Sequence, residues 1–155
     1  MCAVLMSKPR LRVVVTDGWG RSIPARGLVR WLSTVAPKRL CGEVVVALVC
    51  DEKMRALNKR YRGLDRVTDV LSFLADPHPF HDRSSPRVLG DIVIATGVTK
   101  RQARSLGVSV DMETRRLTLH GLLHLMGYDH ETDTGQMRKL ERHLLRRGGL
   151  EDLSV

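Results

Sequence analysis

Three histidines in the stretch HGLLHLMGYDH, residues 120–130, constrain the fold of this chain more than any other feature. The segment 111–126 places apolar side chains at helical spacing and is predicted to form one long helix. Successive helical residues turn by about 100°, which gathers Leu119, Leu122, Leu123 and Met126 into a stripe that must face a core. His120 and His124 lie one turn apart along an edge of that stripe, where a cleft can meet the core. Gly127 supplies a helix stop, because glycine takes the left-handed conformation without strain. The chain can then turn back and bring His130 in from outside the helix. A fold that accepts this segment must bury one helix face and leave its histidine edge open.

Two imidazoles on one face and a third beyond the turn can converge on a single ion. Three neutral nitrogen ligands leave the fourth tetrahedral position free, which suits a catalytic zinc better than a closed structural one. A histidine beside a leucine stripe is more often an ordinary core or surface residue, but the paired spacing and the glycine turn favour the metal. The spacing H-x-x-x-H-x-x-G-x-x-H also belongs to a zinc-protease motif, whose general-base Glu is replaced here by Gly121. Peptide cleavage is therefore disfavoured. A mid-helix glycine costs about 1 kcal/mol relative to alanine. A close approach of a neighbouring backbone or of substrate is expected there to offset it. His78, His81 and His143 have no comparable spacing.

The 155 residues suit one domain spanning 1–155, and a chain of this length can bury roughly 70% of its unfolded surface without disulfide support. Cys2, Cys41 and Cys50 make neither an even set nor a close pair, so a reducing compartment is expected, with the cysteines small and buried or incidental. No run approaches the roughly 18 apolar residues of a membrane span, and no signal-peptide pattern opens the chain. A cytoplasmic protein with no membrane partner is expected. Lys and Arg outnumber Asp and Glu by 26 to 17, a formal net charge of +9. Such an excess favours polyanions such as RNA or DNA, held by phosphate contacts. Aromatic residues make up only 4%, too few for a base-stacking platform. A basic proteome would give the same balance with no nucleic acid involved.

Strands are predicted at 11–17, 42–50, 68–75 and 88–96, all β-branched runs bounded by turn residues. Helices are predicted at 23–36 with Ser22 as N-cap, at 51–62 with Asp51 at the cap, at 99–107 closed by Gly107, at 111–126, and at 134–149. The last carries Met137, Leu140, Leu144 and Leu145 on one stripe. Residues 76–87, with three prolines, read as an exposed loop. The fold class is α+β: one small mixed four-stranded sheet flanked by about five helices.

HGLLHLMGYDH resembles the H-G-x-L-H-L-x-G-Y-D-H signature of the YbeY-type zinc-dependent endoribonucleases of bacterial ribosomal RNA maturation. Two upstream blocks, LNKRYRGLDRVTDVLSF at 57–73 and LGDIVIA at 89–95, agree in order and spacing. The likeness spans roughly residues 43–145. It implies that His120, His124 and His130 hold one zinc ion and that Arg62 is the essential cation of the cleft. It implies a single-strand-specific nuclease acting at the 3′ end of 16S rRNA and in ribosome quality control, with the small ribosomal subunit as partner. Val67 departs from the family, which usually has proline before Thr-Asp, and the rigidity of that turn is in question.

On its own residues Arg62 reads as a solvated side chain at a helix end; the resemblance makes it a phosphate grip. No side chain is identified as the general base. Asp129 and Glu131 flank His130 and are candidates to orient an imidazole. Asp91, Thr68, Asp69, Ser72 and Tyr128 also lie in matching blocks; structural roles are expected for Asp69, Ser72 and Tyr128, and Asp91 either faces the cleft or caps a turn. A non-catalytic ribosomal RNA-binding assembly factor that keeps zinc for stability is the competing reading.

Overall fold

A computed structural model of the chain describes residues 11–76 and 86–151. Among the described residues, four strands form one mixed sheet: β1 (Leu11–Thr16), β2 (Gly42–Val49), β3 (Val70–Leu74) and β4 (Val88–Ala95), in the order β1-β2-β4-β3. β2 runs parallel to β1 and β4, and the edge strand β3 runs antiparallel to β4. Five helices accompany them: α1 (Arg26–Val35), α2 (Asp51–Arg62), α3 (Thr96–Leu106), α4 (Val110–Leu125) and α5 (Gln136–Arg147). The expected α+β class, with its small mixed sheet and five helices, is what the chain adopts.

Side chains alternate across a strand, so each strand serves two faces. Val13, Val15, Val44, Val46, Ile92 and Ile94 face a large core shared with α1, α4 and α5. Leu71, Val93 and Ala95 join a smaller cluster built around Met54 of α2. α4 touches β3, β4, α1, α3 and α5. Such surroundings explain why it is buried well beyond one stripe, with Leu117, Thr118, Leu119, Gly121, Leu122, Leu123 and Leu125 all enclosed. Met126, expected on the stripe, is half-buried at the helix end.

Several local expectations are corrected. Ser22 does not cap α1; it bridges Thr16 in antiparallel fashion, and Ile23 N–H donates to Val15 O at 2.9 Å. Pro24 restricts Ile23 to extended backbone, so the helix starts only at Arg26, with Ala25 at the cap and no side-chain bond there. Asp51 does not cap α2 either, since Cys50 holds that position. Its carboxylate instead accepts from Val98 N–H at 3.2 Å and from Arg101 at 2.8 Å, serving the start of α3. α3 accordingly begins at Thr96, ahead of the expected 99, and closes as foreseen at Gly107, φ +69°. Of the two readings offered for the cysteines, burial does not hold for Cys41 and Cys50, which are exposed free thiols. His78 and His81 lie outside the described residues. Among the described residues no helix is long and apolar enough to cross a membrane.

Candidate metal centre and cleft

α4 is a helix with both ends specified. Ser109 Oγ accepts from Met112 N–H at 3.1 Å, and Asp111 and Glu113 sit in the first turn, where the helix dipole favours acids. At the other end Gly127 turns the chain at φ +93°, and Tyr128 N–H donates to Leu123 O at 3.1 Å. The turn that follows carries His130 back towards the helix.

His120 and His124 are half-buried, with Nε2 atoms 3.2 Å apart. His130 is exposed and completes a group whose nitrogens all lie within 4.8 Å of one another. Tetrahedral zinc, with bonds of about 2.05 Å, holds its nitrogens about 3.3 Å apart. The first pair therefore already stands at the required spacing, and His130 has at most about 1.5 Å to travel. His120 Nδ1–H donates to Glu141 Oε1 at 3.0 Å. A carboxylate can only accept, so in the neutral imidazole it is the His120 Nε2 lone pair that is left free, facing its neighbour. Burial, followed by the charges of His120 and His130, pushes His124 below the usual imidazole range, against a backbone hydrogen bond to Tyr128. A neutral imidazole is the ligand form. This donor set fits a divalent cation of the zinc type.

The histidines sit in a cleft of about 890 Å³ that Arg62, Arg66, Ser72, Tyr128 and Asp129 also line. Arg62 ends α2, and that end is fastened to β3 by Tyr61, whose ring meets Phe73 edge-on at 5.1 Å between centroids. Arg62 Nη2 lies 3.5 Å from Ser72 O, the outer limit of a hydrogen bond. Ser72 Oγ donates to Gly121 O at 3.0 Å. Arg62, the edge strand and the helix turn between the first two histidines are thus linked in series.

Ser72 also explains Gly121. A Cβ there would lie 2.6 Å from Ile92 Cγ2 and 3.0 Å from Ser72 Oγ. The close approach expected at this glycine is made by sheet side chains, not by a neighbouring backbone or by substrate. A side chain at 121 would run into β3 and β4, so the position has no room for the protease glutamate.

The sequence model of the family described as Endoribonuclease YbeY matches residues 25–149. This chain belongs to the YbeY endoribonuclease family. The Endoribonuclease YbeY of Novosphingobium aromaticivorans is 37% identical over 161 residues, covering 95% of this chain and 96% of that one. That of Heliobacterium modesticaldum is 45% identical over 118 residues, covering 70% and 71%. A Thermotoga maritima protein solved in solution is 23% identical, with a TM-score of 0.54 over 93% of this chain and 94% of that one. At that identity it speaks for the fold alone.

Against the YbeY signature, the turn around Val67 is held by other means than proline. Buried Asn58 donates from Nδ2 to Arg66 O at 2.9 Å, and Val67 packs on the Met54 cluster. Asp69 accepts from Val70 N–H at 2.8 Å and from Gln102 at 3.1 Å, tying the start of β3 to α3. Tyr128 packs against the core and accepts from Arg39 at 2.9 Å. Asp91 is not among the cleft residues; burial raises its carboxyl above the ordinary range. Asp129 accepts from Glu131 N–H at 3.0 Å, steadying its own turn. Among the described residues, the acid bonded to a cleft imidazole is Glu141, which sequence reasoning passed over. Its signal was present: an acid within the apolar stripe of α5, four residues after Met137 and three before Leu144.

Proposed function

We propose that this chain is a metal-dependent endoribonuclease acting as one domain over residues 1–155, in which His120, His124 and His130 hold a single zinc ion and Arg62 is the catalytic cation. One observation carries the reading: three imidazoles converge within 4.8 Å of one another in a cleft that Arg62 also lines. RNA as substrate is supported by the name its family and relatives bear. The proposed target is single-stranded 16S rRNA near its 3′ end, within the small ribosomal subunit, in the cytoplasm. Ribosome quality control belongs to the same reading.

Bound zinc supplies a Lewis acid at a phosphoryl oxygen. The protein supplies the rest. The planar fork of Arg62 grips non-bridging phosphate oxygens with two hydrogen bonds and stabilises the charge that grows as the P–O bond breaks. Arg66 adds a second cation in the cleft. The net charge of +9 draws in the polyanion, and backbone contacts dominate because aromatic residues are few.

The test compares wild type, His124→Ala and Arg62→Ala on a structured RNA, with and without chelator. Wild type cuts, and chelator stops it. His124→Ala loses both metal and cutting, whereas Arg62→Ala keeps the metal and cuts about 10²–10³-fold more slowly. Metal-loaded wild type that cuts nothing overturns the proposal. Equal cutting by all three overturns it too and exposes a contaminating nuclease. A 2′,3′-cyclic phosphate product assigns the attack to the RNA's own 2′-hydroxyl; a 3′-hydroxyl end assigns it to water.

A further inference from the structure

Glu141 is the acid that breaks the apolar stripe of α5. Met137, Leu144 and Leu145 on that stripe are 1%, 2% and 2% exposed, and they dock the helix on the core. On a helix, positions 137, 141, 144 and 145 share one face. The same docking that buries the three apolar anchors therefore carries the Glu141 carboxylate inward. It arrives at His120, with Oε1 3.0 Å from Nδ1 and both side chains mostly enclosed, 17% and 23% exposed. A carboxylate drawn out of water needs hydrogen bonds to offset the loss of hydration. The imidazole N–H supplies one.

A second feature backs this contact. One turn before His120 on α4, Arg116 is held in two bonds by Glu113, at 2.9 and 2.6 Å, and Glu113 is wholly buried. That pair fixes a half-buried cation whose charge also acts on Glu141. Arg116 and its acid thus lie one turn from His120 on the same helix, within electrostatic reach of Glu141. Bonds to ligand imidazoles from carboxylates fix the tautomer and ring orientation and raise ligand basicity.

We infer that Glu141 is a positioning residue: it holds His120 as the Nδ1–H tautomer, with Nε2 turned towards His124 and His130, and thereby sets how tightly the three-histidine cluster takes a divalent cation. The inference rests on the metal reading proposed above and adds a residue from a different helix to it. Glu141 makes no contact with substrate in this role. It acts through His120 alone.

Glu141→Leu and Glu141→Gln test it, with Arg142→Ala, an exposed neighbour on the same helix, as control. Leucine extends the stripe that docks α5, so the fold is kept while the acceptor is lost. Glutamine keeps an acceptor and removes the charge. Zinc affinity is read by competition with a chromophoric chelator, and the His120 tautomer by imidazole ¹⁵N shifts in metal-free protein. Glu141→Leu is expected to bind zinc about 10–100-fold more weakly than wild type and to lose the fixed Nδ1–H tautomer. Glu141→Gln should keep the tautomer and fall between the two, and Arg142→Ala should match wild type. Glu141→Leu with wild-type affinity and tautomer overturns the inference while leaving the metal site standing. Wild type that binds no zinc overturns the metal site itself, and the ¹⁵N shifts then decide whether Glu141 orients His120 at all.

Discussion

A methyl group added at Gly121 enters the contact between α4 and the sheet, and two effects of opposite sign meet there. Alanine improves helix propensity by about 1 kcal/mol. Against this, the new Cβ stands 2.6 Å from Ile92 Cγ2 and 3.0 Å from Ser72 Oγ, where carbon contacts settle at about 3.5–4.0 Å. Ile92 is fully buried on β4, hydrogen-bonded between β2 and β3, and being β-branched it is restricted at χ1 and has little freedom to move aside. The helix must lift by up to about 1 Å or the isoleucine must leave its well. Overpacking of this kind costs about 1–3 kcal/mol. Gly121→Ala is therefore expected to lose about 1 kcal/mol net, a fall of about 2–4 °C in Tm for a domain of this size. Urea unfolding of chelator-treated protein, followed by far-ultraviolet circular dichroism, measures it. The decisive step repeats the substitution in an Ile92→Ala background. That change alone costs about 2–5 kcal/mol for its cavity, but it removes both γ carbons. In that background only the 3.0 Å approach to Ser72 Oγ still opposes the helix term, so Gly121→Ala should turn from destabilising to stabilising, by up to about 1 kcal/mol. A substitution that stabilises wild type, or that has the same effect in both backgrounds, refutes the steric account of Gly121.

Glu113→Leu strips Arg116 of both its bonds and should cost about 3 kcal/mol, the low end for a broken buried pair, because the Arg116 side chain keeps 24% exposure. Adding Arg116→Leu should recover most of that loss in the same urea measurement. Ser109→Ala removes the cap of α4 and should cost about 1 kcal/mol, while Ser109→Asp should not. The backbone N–H of Met137, with those of Gly135 and Gln136, holds the Asp133 carboxyl below its ordinary value of 3.8. A depressed carboxyl stabilises the fold above its unfolded value and loses that contribution as pH falls through the folded one. Asp133→Ala should therefore lower stability at pH 7, and its deficit against wild type should shrink below pH 3.8. A deficit that stays constant down to acid unfolding refutes the role assigned to this carboxyl.

The parts of the fold that were legible are those decided within a few residues. The β2 run is apolar from Val44 to Val49 and rich in valine, and its place between two parallel partners is what such a run demands. α4 declares itself by period, and the turn at Gly127 by the one residue that accepts φ +93° cheaply. The histidine cluster was legible for the same reason, since its members are 4 and 6 residues apart and a helix plus one turn places all three. The failures share the opposite property. Ser22 had the chemistry of an N-cap, but the Thr16 backbone claimed its segment first. Asp51 stands at the start of one helix and spends its carboxylate on another, 47 residues away at Val98.

Glu141 shows why that boundary is physical. Its place on an apolar stripe marked it as an acid that must find a donor, because burying a carboxylate without one is too costly to persist. The period of α5 therefore required a partner while saying nothing of which one. The choice of His120 follows from how α5 docks on α4, and that is set by Met137, Leu144 and Leu145 filling the core, not by any attraction between the acid and the imidazole. A half-buried carboxylate that bonds a neutral imidazole gains little beyond the hydration it gives up. It cannot select a packing arrangement, but it can exploit one. The apolar residues decide where the helix lies, and only then does the polar residue acquire its role in the cleft.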